Sequence, residues 1–285
     1  MYLCPPSKVT YLQTNNRNLN YTYKRQQRTT KKKLDKEKIL HFLFIILELI
    51  EIDRIDSLIN LKGLRISHKA DCDSGISACH RLSSIADEIL EQLVEWTKML
   101  PFYQDLPVEV HTHLLTQRWA ELVLLSACFY AKSTSSSINE TLSGNEEVSF
   151  VDASINLQLL QKRLSAVMGK NIPLEHVYKE AGPLVEKFTA LLNSFNRLQI
   201  TLEAYVCLKA ITLLHYTLPN YVSQIQDQFV KALQIHLSQH ENGARLTDIL
   251  TWLPFLHSAS SVLLHSKMFY VPFLISLRLE VVFWL

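Results

Sequence analysis

Apolar residues along this chain recur at helical spacing instead of alternating as they would in strands. Ile85, Ile89, Leu93, Trp96 and Leu100 follow one another at intervals of three and four, which stacks them on one helical face, and Pro101 stops the run. Pro107 then opens a second helix at a place where its fixed φ and missing donor do no harm. Within that helix Leu114, Leu115, Trp119, Leu122, Val123, Leu124, Leu125, Ala127, Cys128 and Phe129 leave almost no polar face. A helix apolar all round has to be buried on every side, so this one is expected at the centre of the domain. Helical patterns resume at about 156–167, 174–192, 198–215, 222–240 and 244–264, punctuated by Pro173, Pro183 and Pro219. No segment alternates as a strand does and no internal repeat is visible, so the expected fold class is all-α.

The flanking regions read differently. Residues 1–35 are polar, basic and without apolar periodicity, while 39–60 is apolar and helix-compatible and 61–75 is a broken polar connection. The expected organisation is a basic, disordered segment with a short apolar helix at 1–50, a linker at 51–75 and one helical domain at 76–285. Ser133 to Glu147, rich in Ser, Asn, Thr and Gly, reads as a loop. Its Asn139-Glu140-Thr141 matches a glycosylation acceptor that an intracellular chain would leave unmodified.

Composition narrows the function classes. With only 6 glycines in 285 residues, phosphate-cradling loops and tight hairpins are hard to supply, which disfavours nucleotide-binding enzymes and strand sandwiches. The net charge of +2 is too small to imply nucleic-acid binding by the whole chain. The basic residues between Lys24 and Lys38 read as a solvated arm or a nuclear-targeting run. The 5 cysteines contain no C-x-x-C pair, and with no secretory leader they are expected to be reduced, intracellular thiols. The apolar stretch 39–50 is too short for a bilayer, which needs ~20 residues, and Arg278 and Glu280 interrupt 268–285, so no membrane partner is expected.

Candidate chemistry is sparse. His111 and His113 are the only close histidine pair, and two residues apart on a helix they cannot share one ion, so no metal site is expected. No nucleophile-elbow, zincin or Walker motif is present, and neither an enzyme nor a cofactor is expected. Glu121 lies in the most apolar helix, where an unpaired carboxylate would cost several kcal/mol, so it must have a partner that the sequence does not name. Lys98 closes the last turn of the first long helix, away from Trp96, where it complements the negative helix end or caps the C-terminus of a docked partner helix.

Residues 93–122, Leu93-Val94-Glu95-Trp96-Thr97-Lys98-Met99-Leu100-Pro101-Phe102 followed by Leu106-Pro107, Leu114-Leu115 and Trp119-Ala120-Glu121-Leu122, resemble the third-to-fifth-helix signature of nuclear receptor ligand-binding domains. The likeness is to the retinoid X receptor and testicular orphan receptor branch. Leu208-Lys209-Ala210-Ile211 and Trp252-Leu253-Pro254-Phe255-Leu256 resemble two later helices of that family. The resemblance implies a three-layer antiparallel helical sandwich in the nucleus, regulating transcription through receptor dimerisation and coregulator binding. It implies a groove for Leu-x-x-Leu-Leu or corepressor helices at Lys98, Thr112, Leu115 and Thr116, and a structural signature of Trp96, Trp119 and Glu121. It further implies a small apolar ligand beside Leu125, Cys128 and Tyr130, and a ridge for a homo- or heterodimer partner at Trp252, Leu253 and Leu256.

Departures from the family pattern sharpen these expectations. Val110-His111 replaces the family's Asp-Gln, and Tyr130 stands where retinoid X receptors carry an arginine for the ligand's carboxylate, so a retinoid-like acid is not the expected ligand. Leu277-Arg278-Leu279-Glu280-Val281-Val282 fits the activation-helix pattern only in part, which points to a missing or replaced activation helix. No paired-cysteine DNA-binding domain is present, so no direct DNA binding by this chain is expected. A ligand-free helical interaction scaffold with a degenerate receptor fold is the alternative that these departures leave open.

Overall fold

The structure is a computed structural model that describes residues 36–53, 78–141, 152–215, 220–239 and 243–276. The chain falls into two compact units, residues 1–45 and 46–285. In the first unit, residues 36–45 are helical. The second opens with a helical stretch at 46–52 and continues with α1 (Ala78–Lys98), α2 (Val108–Thr141), α3 (Ala153–Met168), α4 (Leu174–Leu198), α5 (Leu202–Leu214), α6 (Asn220–Ser238), α7 (Leu246–Leu264) and the short α8 (Val271–Ser276). Among the described residues there is no strand, and the all-α expectation holds.

Two helices form the middle of the sandwich because their sequences leave no polar face. Every residue of α2 from Glu121 to Cys128 is buried, and so is every residue of α5 from Ala204 to Leu214. These two helices pack on each other; α1, α4, α7 and α8 also pack on α2, and α6 packs on α5. Each fully buried leucine among them, such as Leu122, Leu124 or Leu125, contributes about 1.5–3 kcal/mol of apolar burial. The pairs α3 with α4 and α4 with α7 complete the outer packing, and α8 lies against α2, α3 and α4.

Helix ends follow local chemistry. The carbonyl of Pro107 accepts from the N–H groups of Val110 and His111 at 3.0 and 3.2 Å, so the proline starts α2 as its position suggests. The Asp152 carboxylate accepts from the Ser154 N–H at 2.7 Å at the start of α3, and that bond holds its carboxyl below the usual carboxylate range. Gly169, at φ +63°, ends α3 in the left-handed conformation that glycine adopts without strain. Gln199 makes the same turn at φ 51°, and Thr201 then starts α5 by accepting from the Ala204 N–H. One patterned stretch, 198–215, therefore begins in the structure only at Leu202.

Two other expectations change. Residues 133–141, read as loop, continue α2 to Thr141. Ser, Thr and Asn each cost only a few tenths of a kcal/mol in a helix, and no glycine or proline intervenes before Gly144. Pro183, read as a boundary, lies inside α4. Pro183 and Lys179 are both exposed, so the carbonyl that loses its donor there is open to water. Residues 24–35 of the basic run, the activation-helix candidate at 277–282 and most of the 51–75 linker lie outside the described residues. No described helix is long and apolar enough to cross a membrane.

Candidate functional site

The last turns of α1 and the first turns of α2 enclose a groove of about 590 Å³. Leu90, Leu93, Val94, Thr97 and Lys98 of α1 face Val108, His111, Thr112, Leu115, Thr116 and Trp119 of α2 across it, with Tyr103 of the connecting turn. The structure thus brings together the four residues that the sequence assigned to one groove: Lys98, Thr112, Leu115 and Thr116. Leu93 is buried in its floor, whereas Val94 and Val108 stand exposed at its edges. The hydroxyls of Thr97, Thr112 and Thr116 donate to the carbonyls of Leu93, Val108 and Thr112 at 2.9, 2.9 and 2.7 Å. Those hydroxyls are satisfied within their own helices, which leaves the walls apolar in character.

Lys98 supplies charge at one end of the groove. It is exposed, and its Nζ donates to Glu95 Oε1 at 2.6 Å; that hydrogen bond, more than the charge of Glu95, raises its pKa above the ordinary lysine value. His111, which replaces a glutamine of the family pattern, is a buried structural residue. Its Nε2 donates to the Tyr103 carbonyl at 2.9 Å and its ring stacks on Tyr103 with 4.4 Å between centroids. The histidine thereby clamps the turn between α1 and α2 and fixes the depth of the groove.

The signature residues act behind the groove. Trp96 is buried, and the Lys209 ammonium lies 4.2 Å from the centre of its ring. Lys209 is also bonded to Asp53 at 2.6 Å, with both side chains almost fully buried. Trp119 meets Phe269 edge-on at 5.4 Å. The buried Glu121 has the partners its position demanded: Arg118 Nη1 and His257 Nδ1, each 2.8 Å from Oε1. Arg118 also donates to the His215 carbonyl, so α2, α5 and α7 meet at this cluster. Sequence spacing could have suggested Arg118, three residues before Glu121; nothing in it pointed to Asp53 or His257.

The remaining assigned positions divide between the core and the surface. Leu125, Cys128 and Tyr130 are all buried. Burial pushes the thiol of Cys128 far up and that of Cys207 to about 12, so neither is a nucleophile at neutral pH. Trp252 and Leu256 turn inward, contrary to their assignment to a ridge: the Trp252 indole donates to Ser194 Oγ at 2.9 Å and packs on Phe195. Leu253 is half-buried in a second groove of about 470 Å³ beside Arg118 and His257. The outward apolar residues of α7 are instead Leu250, Phe255 and Leu264. Both stripes of this helix are apolar, so the pattern alone does not fix which one faces out.

An all-helical domain with a buried central helix pair and an apolar groove beside a lysine is the arrangement that the resemblance to a receptor ligand-binding domain implies. Residues 77–270 match the family described as "Ligand-binding domain of nuclear hormone receptor", and the chain belongs to that family. It is 59% identical over 246 residues to "Nuclear hormone receptor family member nhr-91" of Caenorhabditis elegans, an alignment covering 81% of this chain and 52% of that protein. It is 32% identical over 270 residues to "Hormone receptor 4" of Drosophila melanogaster, covering 83% of this chain and 17% of the relative. Similarity to "Nuclear receptor subfamily 6 group A member 1" of Xenopus tropicalis is 32% over 152 residues, 51% of this chain and 29% of the relative. The chain therefore spans about half the length of the first of these relatives and less of the others. The family consists of transcription regulators and not of enzymes, and its members generally dimerise and bind coregulators.

Proposed function

We propose that this chain regulates transcription in the nucleus by docking a short amphipathic coregulator helix in the groove between α1 and α2. The observation that carries this reading is an apolar trough of about 590 Å³ with an exposed lysine, paired to Glu95 of its own helix, among its lining residues. A helix of the Leu-x-x-Leu-Leu type lays its leucines on Val94, Leu115 and Trp119, and its last carbonyls, which have no donor of their own, accept from Lys98. Glu95 holds the ammonium near the groove until that exchange occurs. Docking of this kind uses apolar burial and carbonyl capping, chemistry that calls for no metal or cofactor.

A receptor partner, a second copy or a related chain, completes the assignment through the outward face of α7, where Leu250, Phe255 and Leu264 are exposed. DNA contact falls to that partner or to segments beyond this domain, and no membrane takes part.

The test is binding of a fluorescent Leu-x-x-Leu-Leu peptide to the purified chain, wild type against Lys98→Ala, read by polarisation. Saturable binding that Lys98→Ala weakens about tenfold, the loss of one charge-assisted hydrogen bond, supports the reading. Absence of binding by both proteins would sink it and leave a domain that only dimerises.

A further inference from the structure

The helical segment at 36–45 is apolar on two sides. Ile45 is buried, while Leu40 and Phe44 stand 57% and 59% exposed and Leu43 beside them is half-buried. Leu40, Leu43 and Phe44, spaced by three and four residues, share one helical face. In the helical stretch at 46–52, Ile46 and Leu49 are buried, and the exposed Leu47 continues the spacing of that row. A helix apolar all round belongs in contact with protein on every side. A row of bare leucine and phenylalanine side chains is therefore a face that lacks its partner among the described residues.

The groove between α1 and α2 has the complementary character. At about 590 Å³, with apolar walls, it suits a helix that presents anchors at spacings of three and four, and Lys98 lies among its lining residues. Charge gives the match a direction. Lys36 and Lys38 precede Leu40, whereas the exposed Glu51 follows Leu47 by four residues, at the same helical spacing. Laid with its C-terminal end toward Lys98, the segment brings a carboxylate to the ammonium; laid the other way, it brings two lysines to a third.

We infer that a second copy of this chain occupies the groove: Leu40, Leu43 and Phe44 of one copy seat between α1 and α2 of the other, with Glu51 turned to its Lys98. The inference rests on the groove reading above and names a partner for that same site. Leu40 and Phe44 are exposed in the single chain, and so are Val94 and Val108 at the groove edges. Each copy carries one row and one groove, which lets two copies close on each other by a twofold exchange. The groove is then masked where the protein is concentrated, and a coregulator helix gains it only by displacing the segment of the other copy. This contact is separate from the outward face of α7.

Both arms of the test use the full-length chain. The first is polarisation of a fluorescent Leu-x-x-Leu-Leu peptide titrated with wild type and with Leu40→Ala/Phe44→Ala, a variant whose changes lie on the surface. The expected result is peptide binding about fivefold tighter to the variant, since a groove already filled in most wild-type molecules binds with a correspondingly reduced apparent affinity. Equal binding to the two overturns the inference and leaves the groove reading standing; no binding to either removes both. The second arm locates the contact. Unlabelled chain carrying Phe44→p-benzoylphenylalanine is mixed with wild type labelled with heavy nitrogen, then irradiated. Cross-links from position 44 into residues 90–119 of the labelled copy support the inference. Their absence, cross-links confined to the chain that carries the probe, or cross-links to α7 of the labelled copy overturn it. Lys98→Glu on the labelled chain should reduce the cross-link about tenfold, and Glu51→Lys on the probe chain should restore it. Failure of the reversed pair to restore it overturns the contact between Glu51 and Lys98.

Discussion

Two lysines of this domain each hold a carboxylate at 2.6 Å, Lys98 with Glu95 and Lys209 with Asp53, and they do opposite things. The first pair is half-exposed at the groove, three residues apart on one helix. The second is sealed in the core, joins segments 156 residues apart and lies over the ring of Trp96. Equal distances therefore say little about role. In water an ion pair forms and breaks at almost no cost, so Lys98 can leave Glu95 for the carbonyls of a docked helix. In the core neither partner has anywhere else to go, and the pair is a fastener.

The contrast can be broken from the buried side first. Lys209→Met should leave Asp53 buried and unpaired and lower the unfolding free energy by about 3–5 kcal/mol, measured as a shift in the denaturant midpoint. Adding Asp53→Leu should restore most of that loss, since two apolar groups in place of a buried pair are often neutral; failure to recover would mean that Lys209 acts mainly through Trp96. A smaller effect is expected from Thr201→Ala, which removes the acceptor at the start of α5 at a cost of about 1 kcal/mol by thermal unfolding. Lys98→Ala should leave the unfolding midpoint where it is while weakening coregulator peptide binding. Smallest of all, Glu95→Gln should tighten peptide binding by a few fold, because the competitor for the ammonium is gone; unchanged affinity would show that Lys98 is not drawn from Glu95 on binding.

The sequence made the solvent-facing half of this contrast legible and hid the other. Trp96 and Lys98, two residues apart on a helix with a clear apolar stripe, had to point to different faces, and Pro101 fixed where that helix ends. The groove positions Thr112, Leu115 and Thr116 came from the same short window. Lys209 sat in an apolar run with no hint of a counter-charge, because its partner Asp53 lies in the segment assigned to a linker, and pairing over such a distance leaves no local trace. The need of Glu121 for partners was legible from its surroundings, but neither partner was named: Arg118, three residues away, was passed over, and His257 comes from a helix more than a hundred residues later. Trp252 escaped correct placement because α7 is apolar on two sides. The extension of α2 to Thr141 escaped because weak helix formers without a breaker do not end a helix that has already started.

The Asp53–Lys209 pair also sets an order of events during synthesis. The ribosome adds about 5–20 residues per second, so Asp53 is made on the order of 8–30 s before the lysine it needs, 156 residues on. Throughout that interval Ile46 and Leu49, both buried in the finished domain, lack the completed core around them. The nascent chain therefore carries an apolar stretch followed by a carboxylate without its lysine for many seconds, the kind of segment that holding chaperones bind. A synonymous change that slowed translation between the two residues would lengthen that exposure without altering a single side chain.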